Sequence, residues 1–249
     1  MSSERQKNNH DNPWWGEHLH RYIEALKYCS ANDKILDLAC GTGFGTDLLA
    51  AATTNTVIGG DIADIAITEC NIQWQRPNLK FHVIDGTKLP FNNSSFDVVV
   101  SFETIEHTVS YNKMLEEFSR ILKPGGIAII STPNFTINSP TGKIINPFHT
   151  QEFTYFELNL ILASIFSDVS IHGQKFSRSA YGILRFADNL FAFIFNLKGV
   201  RKFIPNAIKN KLSLLFTGRP FYPTSSDFSL VANKSDVLLC KTFFCICRK

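Results

Sequence analysis

The chain has no run of the roughly 18 apolar residues that a helix needs to cross a bilayer. The nearest approach, residues 183–197, is interrupted by Arg185, Asp188 and Asn189. The opening residues, Met1 to His10, are polar and carry no apolar signal core. No transmembrane segment is therefore expected. Charge of one sign is also scarce. The formal net charge is only +3, without the concentrated basic face that nucleic acid demands, so no nucleic-acid partner is expected. The six cysteines, Cys29, Cys40, Cys70, Cys240, Cys245 and Cys247, lack the paired spacing of a zinc site. Reduced, buried thiols and a cytoplasmic location follow as the expectation. Neither a Gly-x-Gly-x-x-Gly turn nor a Tyr-x-x-x-Lys pair occurs, which weakens a nicotinamide-dinucleotide oxidoreductase or epimerase reading.

What is present is an ordinary globular balance, 44% hydrophobic and 19% charged over 249 residues, enough to bury a core without disulfide or metal staples. Short apolar runs alternate with helical patterns. Strands are predicted at 34–39, 56–60, 79–84, 96–101 and 127–131, and helices at 16–29, 45–52, 63–73 and 111–122. Lys123-Pro-Gly-Gly126 stops the last of these helices. The alternation implies βαβ units and a doubly wound, mostly parallel α/β sheet. Beyond Pro133 a loop leads to a helix at 154–166, capped by Thr154, a strand at 168–172, a Phe-rich helical stretch at 177–215 and a closing strand at 237–247. The expected organisation is an N-terminal lid helix (1–33), a core (34–174), a helical cap insertion (175–230) and the closing strand (231–249). Trp14, Trp15, His18 and Tyr22 are candidates for the lid. The aromatic-basic stretch 184–211 suits core packing, an acceptor cap or peripheral membrane contact.

The strongest signal is Asp37-Leu-Ala-Cys-Gly41-Thr-Gly43-Phe-Gly45, directly after the first strand. Glycine lets backbone turn sharply and approach a ligand, and the helix that follows offers unpaired N–H groups. Asp37, ahead of the glycines, suits the ammonium end of an amino acid and would repel a pyrophosphate. Asp61, at the end of the second strand, stands where a carboxylate accepts ribose hydroxyls. Asp85, after the third, could accept from an adenine amino group, with the Gly86 N–H facing the ring.

These segments, ILDLACGTGFGTDLLA (35–50), VIGGDIADIAI (57–67), DGTKLPFNNSSFDVVVSFETIEH (85–107) and ILKPGGIAIISTPN (121–134), resemble the class I S-adenosylmethionine-dependent methyltransferases. The resemblance implies a seven-stranded, Rossmann-like sheet with an antiparallel last strand, and S-adenosyl-L-methionine as cofactor. It assigns Gly41 and Gly43 to the methionine and ribose side, Asp61 to the ribose, Asp85 to the adenine, and Ser101 and Phe102 to the methionine end, with Ile62 and Gly86 as further cofactor-binding candidates. No Asn/Asp-Pro-Pro-Tyr/Phe motif follows the fourth strand, which argues against adenine- and glutamine-directed N-methylation.

A hydroxyl acceptor must lose a proton, and histidine is the usual base near neutral pH. His107, in Glu103-x-x-Glu106-His107, and His149, in Phe148-His149-x-x-Glu152, both follow strand ends. They are the catalytic candidates for O-methylation of a small-molecule or saccharide-like acceptor. The saccharide hint comes from NPFHTQEFTYFEL (146–158), which resembles methyltransferases of glycan and secondary-metabolite pathways. No metal is expected. The alternative is a cation on Glu103, Glu106 and His107, because this segment is similar to that of the ubiquinone-pathway O-methyltransferases. A cofactor-binding protein without catalysis is the remaining reading.

Overall fold

Apolar runs punctuated by Gly and Pro become the strands of one sheet, and the amphipathic segments between them become helices laid on its faces. The computed structural model describes residues 12, 14–176, 205–217, 220 and 222–249. In chain order the elements are α1 (Trp15–Leu26), β1 (Ile35–Leu38), α2 (Phe44–Ala52), β2 (Val57–Asp61), α3 (Asp64–Gln73), β3 (Leu79–Val83), β4 (Phe96–Phe102), α4 (Tyr111–Ile121), β5 (Leu122–Pro133), α5 (Phe135–Asn138), α6 (Tyr155–Ala163), β6 (Asp168–Phe176), α7 (Asn206–Thr217), β7 (Phe228–Val231), α8 (Lys234–Val237) and β8 (Thr242–Arg248). A single 3-10 turn, Ile105–His107, follows β4.

The strand order is β3-β2-β1-β4-β5-β8-β6-β7. Strands β1 to β5 pair in parallel, and β8 inserts antiparallel between β5 and β6. This is the expected doubly wound sheet with one strand more than the seven anticipated. The extra strand, β7, comes from the end of the stretch assigned to the cap. The order reverses at β1, which has β2 on one side and β4 on the other, so the crevice for a ligand opens at the carboxyl ends of these strands. Strands β1 and β4 are apolar and buried along nearly their whole length, as befits strands covered on both faces. Met114, Leu115, Phe118 and Ile121 of α4 join the core cluster.

Several boundaries differ from expectation: the first helix ends at Leu26, not 29, α6 ends at Ala163, not 166, β6 runs to Phe176, not 172, and two strands start elsewhere. Strand β5 begins at Leu122, because Phe96 pairs with Leu122 and Val98 with Ile127; Lys123 to Gly126 bulge out between those two pairs. The closing strand begins at Thr242, not 237. Asn233 caps α8 by accepting from the Ser235 N–H, so Val237 closes a helical turn and does not open a strand. Cys245 and Cys247 are free, fully buried thiols in the core, as anticipated. Thr154 and Glu157 form the reciprocal cap of α6.

By its contacts the chain divides into two units, one holding Arg21–Lys175 with Leu230–Lys249, the other the described parts of 6–20 and 176–229. In the second unit, Phe228 packs its ring on Phe176 at 5.1 Å. Of the aromatic-basic stretch 184–211, residues 184–204 lie outside the described residues. No helix among the described residues is long and apolar enough to cross a membrane.

Candidate functional site

Asp37 sits near the tip of β1, opposite Gly59 of β2 and Val100 of β4. It is 1% exposed. The Thr46 hydroxyl donates to it at 2.6 Å, and the Tyr22 hydroxyl lies 3.2 Å from both its oxygens. Burial pushes its carboxyl from 3.8 up to about 7, against the pull of the Thr46 and Tyr22 hydrogen bonds and with a small addition from Asp61. This is a buried anion site supplied with donors but with no cation among those partners.

Asp61 clamps the glycine loop to β2. Its Oδ2 accepts from the Gly41 N–H at 3.0 Å and its Oδ1 from the Ala63 N–H at 2.9 Å. The three glycines of the loop have different duties. Gly41 has φ +56°, and a Cβ there would meet nothing within 4 Å, so its face is open. Gly43 has φ +75°, and a Cβ would press within 3 Å of Cys70, Phe81 and Trp74, so it packs inward. A Cβ on Gly45 would overlap the Tyr22 ring. That ring is held edge-on by Phe44 and Phe102, at 5.2 and 4.9 Å.

Asp85 is exposed. The Thr87 N–H and hydroxyl both donate to its Oδ1 at 2.8 Å and hold its carboxyl below the usual range. Gly86 is buried against Leu38 and Met114. Ile62, 73% exposed, stands just beyond Asp61. Phe102 is buried, and the buried Ser101 hydroxyl has no hydrogen-bond partner among the described residues. An open depression of about 560 Å³, lined by Asn112, Glu116, Ser119, Arg120, Ser164, Ile165 and Lys249, includes none of these motif residues.

Two non-glycine residues in this region adopt left-handed backbone, Ala39 with φ +60° and Glu103 with φ +51°. Each costs roughly 1–2 kcal/mol, a strain that concentrates at ligand sites. Sequence gave no sign of either. It also missed Arg21, which is 1% exposed, donates to Gln174 at 2.8 Å and lies 3.5 Å from Glu103 Oε1. The Ser131 hydroxyl donates to the same Glu103 oxygen at 2.7 Å.

The two histidine candidates come together. The loop after α5 is stitched onto the 3-10 turn by Thr150 N–H to the Glu106 carbonyl at 2.8 Å, and by the Gln151 amide to the carbonyls of Ile105 and Thr108. The His107 and His149 rings meet edge to face, 5.0 Å between centroids. His107 Nδ1 faces the Phe148 carbonyl at 3.0 Å, and His149 Nδ1 faces Glu152 Oε1 at 2.7 Å. Both oxygens are acceptors, so each Nδ1 carries the proton and each Nε2 the lone pair. The His149 lone pair accepts from the Asn146 amide at 2.9 Å. His107 has a third of its side chain exposed and His149 a tenth. Beneath them Glu106 is wholly buried. Its Oε2 accepts from the Thr132 hydroxyl at 2.8 Å, and its Oε1 has no hydrogen-bond partner among the described residues. Burial, then the charge of Glu103, pushes its carboxyl well above the usual range.

Known proteins agree with this architecture. A family model described as a methyltransferase domain matches residues 36–130. A probable S-adenosylmethionine-dependent methyltransferase of Mycolicibacterium smegmatis is 33% identical over 61% of this chain and 58% of its own length. One of Mycobacterium tuberculosis is 33% identical over 66% of this chain and 59% of its own. The chain thus spans under two thirds of the length of these relatives. Its fold matches that of a methyltransferase solved with the Haloferax volcanii Trm112 methyltransferase activator, with TM-score 0.60, 17% identity, and 97% and 94% of the two chains covered. Nothing in these matches supports a nicotinamide enzyme. Over residues 36–130 the chain is similar to the methyltransferase domain, and its relatives and fold are those of S-adenosylmethionine-dependent methyltransferases.

Proposed function

We propose that the protein is an S-adenosylmethionine-dependent O-methyltransferase acting on a small-molecule or saccharide-like hydroxyl, with His107 as general base and His149 beside it. When bound, the cofactor supplies a methyl group already activated on a sulfonium, so the protein must mainly align the reacting atoms. The residues fit such a ligand. Asp37 would take the ammonium group, Asp61 the ribose hydroxyls, and Asp85 with the Gly86 N–H the adenine. Ile62 and Phe102 would cover apolar faces, and Ser101 offers a spare hydroxyl at the methionine end. The open face of Gly41 is a cradle that any side chain would fill.

The observation that carries the acceptor reading is the meeting of His107 with His149. His107 is the more exposed of the two, and its Nε2 lone pair can accept a hydroxyl proton. Glu152 orients His149, and the Ser139 hydroxyl in turn orients Glu152 at 2.7 Å. The test is turnover across a panel of phenolic, enolic and sugar hydroxyl acceptors, with S-adenosylhomocysteine affinity measured in parallel. His107→Ala is expected to lower turnover by about 10²–10⁴-fold and leave that affinity unchanged. Turnover confined to amine acceptors, or unaffected by His107→Ala, would overturn the reading.

A further inference from the structure

We infer that Glu106, His107 and His149 form a binding site for a divalent transition cation of the zinc class. One ligand atom from each lies within 4.8 Å of the others. The set differs from the cluster that sequence spacing suggests. Glu103 is engaged by Ser131 and Arg21, and His149, forty-odd residues downstream, completes the group in its place.

Three features mark this cluster as a ligand set rather than a chance gathering. The first is Glu106 Oε1, which is buried without a hydrogen-bond partner among the described residues and lies 3.9 Å from His107 Nε2. Leaving such an atom unpaired costs about 1–3 kcal/mol, and a cation at this point removes the cost. The second is the tautomer. Both histidines commit Nδ1–H to an oxygen, one a carbonyl and the other a carboxylate. This is the outer support that fixes metal-binding imidazoles and leaves Nε2 as the ligand. The third is the Asn146 amide, which directs a hydrogen at the His149 Nε2 lone pair at 2.9 Å. An N–H there is a weak stand-in for positive charge, and a cation would displace it.

The donor chemistry selects the ion. Two imidazoles and one carboxylate suit zinc, cobalt, nickel or ferrous iron, whereas magnesium and calcium prefer oxygen ligands. Bonds of about 2.0–2.2 Å to a tetrahedral centre place ligand atoms about 3.3 Å apart. The observed spacings therefore require each side chain to move by about 1 Å or less. Three protein ligands leave a position open, as catalytic zinc sites do. Taking that position as the acceptor's rests on the proposed O-methyltransferase reading. With the ion bound, His107 Nε2 is a ligand and not the base, so an acceptor hydroxyl in the open position would lose its proton to solvent; without the ion, His107 takes that proton as proposed above.

The test uses the full chain, stripped of metal with a chelator and titrated with Co²⁺ alone. Binding is followed by equilibrium dialysis and by visible d–d absorption. The expected result is one Co²⁺ per chain with a tetrahedral or five-coordinate spectrum, displaced by Zn²⁺. Glu106→Gln, His107→Ala and His149→Ala should each weaken Co²⁺ at least tenfold, and Glu152→Gln about 10–100-fold through its hold on His149. Glu103→Gln should leave Co²⁺ affinity essentially unchanged. Circular dichroism and thermal unfolding, measured on every variant, confirm that each is folded. Absence of stoichiometric Co²⁺ binding to the wild-type chain, or equal binding to Glu106→Gln and His149→Ala, overturns the site. The two readings separate cleanly. No cobalt binding with turnover still lost in His107→Ala refutes the ion and keeps the base. Cobalt binding with no hydroxyl turnover keeps the ion and refutes the O-methyltransferase.

Discussion

Replacing Asp37 by Asn separates the stability of the fold from its capacity to hold a cation. The carboxyl stands at about 7 in the folded chain against its ordinary 3.8, and burial is the main cause. A group whose pKa is raised on folding contributes stability that is fully present below the unfolded value. That contribution is lost as pH rises through the folded value. The displacement of about 3 units corresponds to about 4 kcal/mol in full. Asn has the same shape and never ionises. It still accepts from Thr46, and its misfit with the Tyr22 hydroxyl costs about 1 kcal/mol. The advantage of Asp37→Asn over wild type should therefore grow by about 2–3 kcal/mol between about pH 5 and pH 8. Urea unfolding of both proteins, followed by circular dichroism across that range, measures the difference with the other titrations largely cancelling. The same variant should bind S-adenosylhomocysteine much more weakly at pH 8, because the ligand ammonium has lost its carboxylate. In the wild type that affinity should fall by up to about tenfold per pH unit below 7. A pH-independent stability difference, or undiminished ligand affinity in Asp37→Asn, would refute the reasoning.

Three further substitutions test the glycine loop and the cap of α6. Gly45→Ala drives a methyl group into the Tyr22 ring, which Phe44 and Phe102 flank. It is expected to cost about 3 kcal/mol in thermal unfolding, whereas Gly41→Ala, with no clash but a left-handed φ, should cost about 1–2 kcal/mol and lose ligand affinity disproportionately. Equal effects of the two on stability would contradict the assignment of Gly41 to the open face. Thr154→Ala removes the hydroxyl that accepts from the Glu157 N–H, and a loss of about 1 kcal/mol is expected in the same assay.

The grouping of the residues proposed for the cofactor was more legible in the sequence than that of the residues proposed for the acceptor, and the reason is physical. Asp37, the glycines and Asp61 act through backbone turns at strand tips, and such turns need particular residues at fixed local spacing. The Gly41–Asp61 hydrogen bond spans 20 residues, yet it follows from two adjacent parallel strands whose tips are aligned. The acceptor side depends on pairings that no local rule encodes. Glu103, Glu106 and His107 look like a set because they are neighbours in sequence. In the folded chain Glu103, at a left-handed turn, goes to Arg21 from 82 residues upstream. Glu106 goes instead into the core beneath His149. What decides between the carboxylates is the polar company of β5. Ser131 satisfies Glu103, while Thr132 satisfies one oxygen of Glu106 and leaves the other open. A strand's successive residues face opposite sides, so a Ser-Thr pair at its tip distributes two carboxylates to two sides of the crevice. On the proposed reading, one carboxylate lies toward the methionine end and the other toward the acceptor. That division gives Ser131→Ala and Thr132→Val separable consequences. The first should loosen Glu103 and disturb the methionine end, and the second should deprive Glu106 of its partner without touching the glycine loop. Calorimetric titration with S-adenosylhomocysteine on both variants distinguishes the cases. Affinity falling in the first and holding in the second is the expected pattern, and the reverse order would mean that the two carboxylates have been assigned to the wrong sides.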